Sequence, residues 1–127
     1  MFSMDLGAGE SGGHLVVALR GELDLTDAAS VTAALETVTA IGPRIIVDLS
    51  GLEFIDAAGV AALARGRRQA RDAGGDLLLA GPQPRVQRVL ALIWDAGGSG
   101  AHASVAGAAA SAVSRPAGGR ADPAAAR

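Results

Sequence analysis

Residues 47–60, Val-Asp-Leu-Ser-Gly-Leu-Glu-Phe-Ile-Asp-Ala-Ala-Gly-Val, organise the rest of this 127-residue chain. The segment is predicted to begin as an apolar strand, pass through a short turn and end as the first turn of a helix. Asp56 stands at the N-cap position, where its carboxylate can accept a hydrogen bond from the backbone N–H of Ala58 or Gly59. A strand that delivers a helix N-terminus to a sheet edge predicts a binding edge there.

On both sides of this segment, predicted strands alternate with predicted helices. Strands are predicted at residues 2–6, 14–20, 44–49 and 76–80, with a hairpin turn or loop at 7–13. Helices are predicted from Thr26, as N-cap, to residue 41, and at 57–73 and 85–92. This alternation indicates an α/β fold with a mixed, mostly parallel sheet of four to five strands packed against helices.

The C-terminal part of the sequence carries weaker signals. A last strand at residues 97–103 lacks β-branched support, and residues 104–113 can form an Ala-rich helix capped by Ser104. The Pro/Gly/Ala-rich residues 115–127 are predicted to be a disordered tail, so that one domain covers residues 1–114.

Composition excludes several classes of function. A net charge of -2 does not indicate nucleic-acid binding. Without cysteine there is neither a thiol nucleophile nor a Cys-metal site. His14 and His102 lack ligand spacing, and no catalytic motif is present, so we expect no metal, no cofactor and no enzyme activity. No apolar run reaches the ~20 residues of a membrane span, which predicts a cytoplasmic protein without membrane insertion.

Two loops follow parallel strands and are predicted to share one rim of the sheet, at residues 21–27 and 50–56. Because Thr26 is the predicted N-cap, Asp24 is not needed for capping and is expected to take part in surface recognition. For Glu22, a recognition role and a plain solvated loop position are equally consistent with the sequence. Asp56 either caps the helix alone or also contacts a partner. Gly59 indicates close approach of a partner or of the neighbouring strand. The arginines of the following helix are predicted to form a solvated face (Arg65, Arg67, Arg68 and Arg71).

The motifs Leu-Arg-Gly-Glu-Leu-Asp-Leu at 19–25 and residues 47–60 together resemble the STAS domain of anti-sigma factor antagonists and of sulphate-transporter tails. The resemblance is clear over residues 14–92 and weak over 93–114. It implies a partner, an anti-sigma factor of the ATP-binding serine kinase type. The implied partner-binding residues are Glu22, Asp24, Leu25, Thr26, Asp56, Ala57, Ala58 and Gly59.

The resemblance also implies a phosphoacceptor Ser or Thr immediately before the glycine of the second motif. This chain has Ala58 at that position and Ala57 beside it, so neither residue can accept a phosphoryl group. A phosphate would bring roughly -1.5 to -2 charge next to Asp56. Without it, the domain is expected to resemble the permanently unphosphorylated, binding-competent form.

The sequence therefore predicts a STAS-domain anti-sigma factor antagonist that works by protein–protein binding. Two other classes stay open: a STAS scaffolding subunit of a signalling or transport assembly, and a small nucleotide-binding protein. An acidic Asp56 and the lack of Lys or Arg in the second motif disfavour an anion at that helix start. The oligomeric state is left open.

Overall fold

The computed structural model describes residues 2–11, 13–94, 105 and 107–109, and every structural statement below refers to these. The strands are β1 Phe2–Ser11, β2 His14–Leu23, β3 Arg44–Ile55 and β4 Asp76–Ala80. The helices are α1 Ala28–Ile41, α2 Ala57–Asp72 and α3 Pro84–Ile93, and a 3-10 turn, Leu25–Asp27, precedes α1. The predicted strand at 97–103 and the predicted tail lie outside the described residues.

The four strands form one sheet in the order β1-β2-β3-β4. β1 pairs antiparallel with β2, whereas β2, β3 and β4 are parallel to their neighbours. This is the mixed, mostly parallel sheet that the alternation of strands and helices predicted. Since parallel strands require crossover connections, α1 and α2 link the three parallel strands.

The main core lies between the sheet and the helices. Val31, Leu35 and Val38 are spaced at i, i+4 and i+7, which places them on one face of α1, and all three are fully or nearly fully buried. Val86 and Leu90 of α3 join the same core. A smaller cluster covers the other face of the sheet, where Ile46, Leu78 and Ala80 pack with the helical residues Val105, Ala108 and Ala109.

The predicted turn within residues 50–56 is wrong, because β3 continues without interruption to Ile55. Leu49, Leu52 and Ile55 are all buried although they are three residues apart, a spacing that a flat strand would place on alternating faces. The register with β2 slips by one residue at two points, and each extra residue in β3 turns the next apolar side chain back to the core. Ser50-Gly51 therefore marks a β-bulge in β3 and not a turn.

Two other strands are longer than predicted. β2 continues to Leu23, so residues 21–23 are strand, and the loop begins only at Asp24. β1 continues to Ser11, which makes most of the predicted loop at 7–13 strand, with a register shift between Leu6 and Glu10. Gly13, with a φ of 83°, supplies the left-handed conformation of the hairpin turn.

Candidate functional site

The ends of β2 and β3 bring the two predicted binding segments together. Leu23 pairs with Ile55 in the parallel register, so the 3-10 turn and the start of α2 emerge side by side. The backbone N–H of Asp56 donates to the carbonyl of Leu23 at 3.2 Å, which extends the pairing by one residue. The predicted common rim is thus present in the structure.

The Asp56 carboxylate joins these two segments. Its Oδ1 accepts from the Gly59 N–H at 2.9 Å, one of the two N-cap bonds that the sequence predicted. Its Oδ2 accepts from the Leu25 N–H at 3.2 Å, 31 residues away in the chain. Both oxygens therefore hold backbone groups, and Asp56 fixes the position of the 3-10 turn relative to the start of α2. We call this three-residue arrangement the Asp56 clasp.

A second carboxylate organises the 3-10 turn itself. Asp24, and not Thr26 as predicted, is the capping residue: its Oδ1 accepts from the Thr26 N–H at 3.0 Å and from the Thr26 hydroxyl at 2.6 Å. The Asp27 carboxylate accepts in return from the Asp24 N–H at 3.5 Å, which completes a capping box. The hydrogen bond from the Thr26 hydroxyl holds the pKa of Asp24 below its ordinary value, so this carboxylate stays ionised at neutral pH.

Gly59 is a packing residue. It is buried, and a Cβ built on it would lie 2.7 Å from the Leu23 carbonyl oxygen and 2.8 Å from Ile55 Cγ1. Of the two sequence alternatives, the geometry explains this glycine by the approach of the neighbouring strand. In front of it, Ala57 is exposed and Ala58 is half-buried at the first turn of α2.

The two segments that the Asp56 clasp joins carry acidic side chains and two exposed apolar ones. Between residues 22–27 and 50–59 there are five carboxylates and no Lys or Arg. Two large apolar side chains in the same segments are exposed, Leu25 at 72% and Phe54 at 47%. Phe54 was missed by the sequence reasoning. Successive side chains of a strand point to opposite faces, so Phe54 lies on the face away from the main core that buries Ile55. We use the name acidic rim for these five carboxylates together with the two exposed apolar residues: Glu22, Asp24, Leu25, Asp27, Glu53, Phe54 and Asp56.

A second polar cluster lies at the other end of α2, where the predicted solvated face is wrong for one residue. Arg67 is only 6% exposed, because it falls in the same helical stripe as the buried Val60, Leu63 and Ala70. Its Nε donates to Asp76 Oδ1 at 3.0 Å, and its guanidinium stacks over Trp94 with 5.6 Å between Cζ and the ring centroid.

Asp76 at the start of β4 accepts from three donors at one oxygen. Besides Arg67, the Arg71 Nε donates at 3.1 Å and the Leu77 N–H at 2.8 Å. Burial raises the pKa of Asp76, but the hydrogen bond and charge of Arg67, with the other two donors, outweigh that effect and leave the pKa below its ordinary value.

Two kinds of feature are absent from the described part of the chain. No group of three His, Cys, Asp or Glu side chains there has the arrangement of a metal site. None of its helices has both the length and the apolar character needed to span a membrane.

The sequence matches the protein family described as Mlab, STAS domain, over residues 6–94, more than half of the chain. No curated protein matches it at a significant level. Among solved structures, a candidate anti-sigma factor antagonist of Thermotoga maritima is similar with a TM-score of 0.68 and 21% identity, over 90% of this chain and 95% of that one.

Two further antagonist structures share the fold. The anti-sigma factor antagonist SpoIIAA of Bacillus, in its unphosphorylated form, is 23% identical with a TM-score of 0.66, over 91% of this chain and 99% of that one. An anti-sigma factor antagonist from Mycobacterium paratuberculosis is 26% identical with a TM-score of 0.59, over 71% and 77% of the two chains.

Proposed function

Because this chain belongs to the STAS-domain family, we propose that it is an anti-sigma factor antagonist whose activity is protein binding, not catalysis. The partner is an anti-sigma factor of the ATP-binding serine kinase type. The similarity of fold to three antagonist structures supports this class of function. The surface of this chain supplies the independent support for a binding role.

The observation that carries the proposal is the acidic rim held by the Asp56 clasp. Exposed apolar side chains that are surrounded by charge are typical of protein-binding sites, where the apolar residues supply affinity and the charges select the partner. Leu25 and Phe54 are the apolar anchors, and the net negative charge of these segments favours a partner surface rich in Lys or Arg. Since Asp56 uses both carboxylate oxygens on backbone N–H groups, it positions the anchors and does not itself need to contact the partner.

The start of α2 bears no hydroxyl that a partner kinase could phosphorylate at the family position. Ala57 is exposed there and Ala58 half-buried. A phosphate at Ala58 would stand beside Asp56, and its charge would oppose both the carboxylate and the clasp. We therefore propose that the chain stays in the binding-competent form and is not switched off at this site.

Isothermal titration calorimetry with the purified anti-sigma kinase encoded nearest to this gene tests the binding. We expect Leu25→Ala to weaken the complex by roughly fivefold or more, because truncation of an anchor residue costs above about 1 kcal/mol. Ile41→Ala is the matched control: Ile41 is also an exposed branched side chain, at 62%, but ends α1 at the far end from the 3-10 turn. Equal losses for the two variants would contradict a site at the acidic rim.

Labelled ATP added to the same mixture tests the proposal that the partner does not phosphorylate this chain. We expect no stoichiometric transfer of phosphate to the wild-type chain. Stoichiometric incorporation would refute that proposal and leave the binding result intact. Ala58→Glu should weaken the complex more than Ala58→Gln, because the two side chains are similar in size and differ in charge.

If no anti-sigma factor binds and a signalling or transport complex is recovered by the wild type and lost with Leu25→Ala, the scaffolding alternative holds.

A further inference from the structure

A cleft lies between α2 and the end of α3, and none of its lining residues belongs to the acidic rim. Its volume is about 180 Å³. One water molecule has a share of about 30 Å³ in the liquid, so the cleft has room for one small organic molecule. Four residues form its apolar wall: Val60, Ala61, Ala64 and Ile93.

The rest of the lining is cationic. It consists of Arg67, Arg68 and Arg71, which follow Ala64 on the next turns of the same face of α2, and of Trp94. Asp76 engages the Nε atoms of Arg67 and Arg71, so the three guanidinium groups and this carboxylate leave a formal excess of two positive charges. Arg68 and Arg71 are exposed, and therefore a solute can reach the cationic end from solvent.

Arg67 holds an unused donor in this part of the lining. Its Nε donates to Asp76, and the guanidinium plane stacks on the Trp94 ring. Within the described part of the chain, its buried Nη2 has no hydrogen-bond partner. A buried guanidinium N–H without an acceptor is unfavourable, and an anion in the cleft would remove that penalty once a shift of the Arg67 side chain brings the buried Nη2 to the cleft. Guanidinium groups match phosphate and carboxylate oxygens in both charge and geometry.

We propose that this cleft binds a small organic oxyanion, a phosphate or carboxylate group with a short apolar substituent. Arg67 Nη2, Arg68 and Arg71 hold the oxyanion, and the apolar wall of α2 and Ile93 contacts the substituent. The site is separate from the acidic rim, and its ligand is bound by the chain alone, so the inference does not depend on the proposed partner.

Trp94 is the single tryptophan of a chain without tyrosine, so its fluorescence reports directly on the cleft. Titration of the full chain with n-butyl phosphate, n-butyrate and inorganic phosphate at constant ionic strength compares the two head groups and tests the apolar substituent. We expect saturable changes with one or both butyl compounds. Butyl phosphate should bind at least fourfold more tightly than inorganic phosphate, since one buried methylene accounts for about that factor.

Arg68→Gln is the variant of choice, because Arg68 is exposed and its replacement spares the buried pair of Arg67 and Asp76. We expect it to weaken binding roughly tenfold, the effect of losing one charge-assisted hydrogen bond. Arg65→Gln removes the same charge from an exposed position of α2 outside the cleft and should change the affinity less than twofold. Equal losses in both variants would show general screening and overturn the proposal.

Arginine Nε–H and tryptophan indole N–H resonances give a second readout in NMR spectra. Ligand-dependent shifts should centre on Arg67, Arg68, Arg71 and Trp94. If neither butyl compound produces saturable fluorescence changes or such shifts, the cleft is not a binding site. Equal affinity for inorganic phosphate and butyl phosphate would refute the contact with the apolar wall.

Discussion

The two ends of helix α2 are each tied to the sheet by an aspartate, but the donors differ. At the N-terminal end, Asp56 accepts from two neutral backbone N–H groups. At the C-terminal end, Asp76 accepts from the guanidinium groups of Arg67 and Arg71 and from one backbone N–H. The first arrangement joins loops, and the second brings a charged side chain into the core.

The two kinds of donor place different constraints on the side chains around each end of α2. Backbone donors at the Asp56 clasp are present whatever the neighbouring side chains are, so the surrounding surface is free to specify a partner. The Arg67–Asp76 pair is buried or half-buried on both sides, and removing one member would leave the other charge without its partner. The first end therefore suits a variable docking surface, while the second suits a fixed internal site.

Replacement of the packing glycine at the N-terminal end has the largest expected effect. Gly59→Ala forces a Cβ to within 2.7 Å of a backbone carbonyl, which cannot move without displacing β2. We expect the free energy of unfolding to fall by about 2–3 kcal/mol, measured by urea denaturation followed by circular dichroism.

Gly66→Ala is the matched control within the same helix. Its Cβ would meet Leu35 Cδ1 at 2.6 Å, the end of a side chain that can rotate, and the helix gains about 1 kcal/mol of propensity. We expect its stability to stay within about 1 kcal/mol of the wild type. A loss as large as that of Gly59→Ala would mean that the approach of β2 is not what requires glycine at position 59.

Loss of the clasp itself should have an intermediate effect. Asp56→Ala removes the hydrogen bonds to Gly59 and Leu25 and should lower the free energy of unfolding by about 1–2 kcal/mol. Asp56→Asn retains an acceptor for Gly59 and should cost less. Thermal unfolding measures both, and Glu53→Ala, which removes an exposed carboxylate three residues away, should change stability by less than about 0.5 kcal/mol. Partner binding should fall with Asp56→Ala more than stability alone explains, because the 3-10 turn is released.

Acidification should produce the smallest effect, and Asp76 at the C-terminal end of α2, the half-buried one of the two carboxylates with a lowered pKa, should contribute to it. The folded state holds the pKa of Asp76 below its ordinary value, so the folded protein binds fewer protons than the unfolded chain in that interval. The resulting stability is present above about pH 4 and is lost as the pH falls through the lowered pKa. We expect the urea midpoint of the wild type to fall between about pH 4 and pH 2.

Asp76→Asn should reduce this pH dependence, whatever its effect on stability at neutral pH. Asp5→Asn is the control, because Asp5 forms an exposed ion pair with Arg20 at 2.9 Å, and exposed pairs contribute little. If both variants, or neither, change the slope of stability against pH, Asp76 is not the group responsible.

Some elements followed directly from residue patterns. The Asp56 cap, the helix from residue 57, the stop at Gly42-Pro43 and β4 at Asp76–Ala80 depend on side chains and backbone within a few residues of each other. The order of strands and helices also gave the mixed sheet, because parallel pairing follows from crossover connections. In these cases the local preference and the tertiary structure agree.

Other features were decided by packing between distant segments. Ser50-Gly51 reads locally as a turn, yet pairing with β2 keeps these residues in a bulged strand. Thr26 is an acceptable cap by itself, but Asp24 takes that role once the 3-10 turn forms. Arg67 reads as a solvated residue until the stripe that it shares with Val60 and Leu63 is packed on the sheet.

The sequence by itself determined the fold class, the family motifs and the absence of a hydroxyl at residues 57 and 58, since these depend on residue identity and short-range spacing. Only the tertiary structure decided that Asp56 also bonds Leu25, that Phe54 is exposed, and that Arg67 lines a cleft while its Nη2 finds no acceptor among the described residues. Each of these depends on which residues from distant parts of the chain become neighbours. Backbone pairing and side-chain packing fix that, and local preference does not.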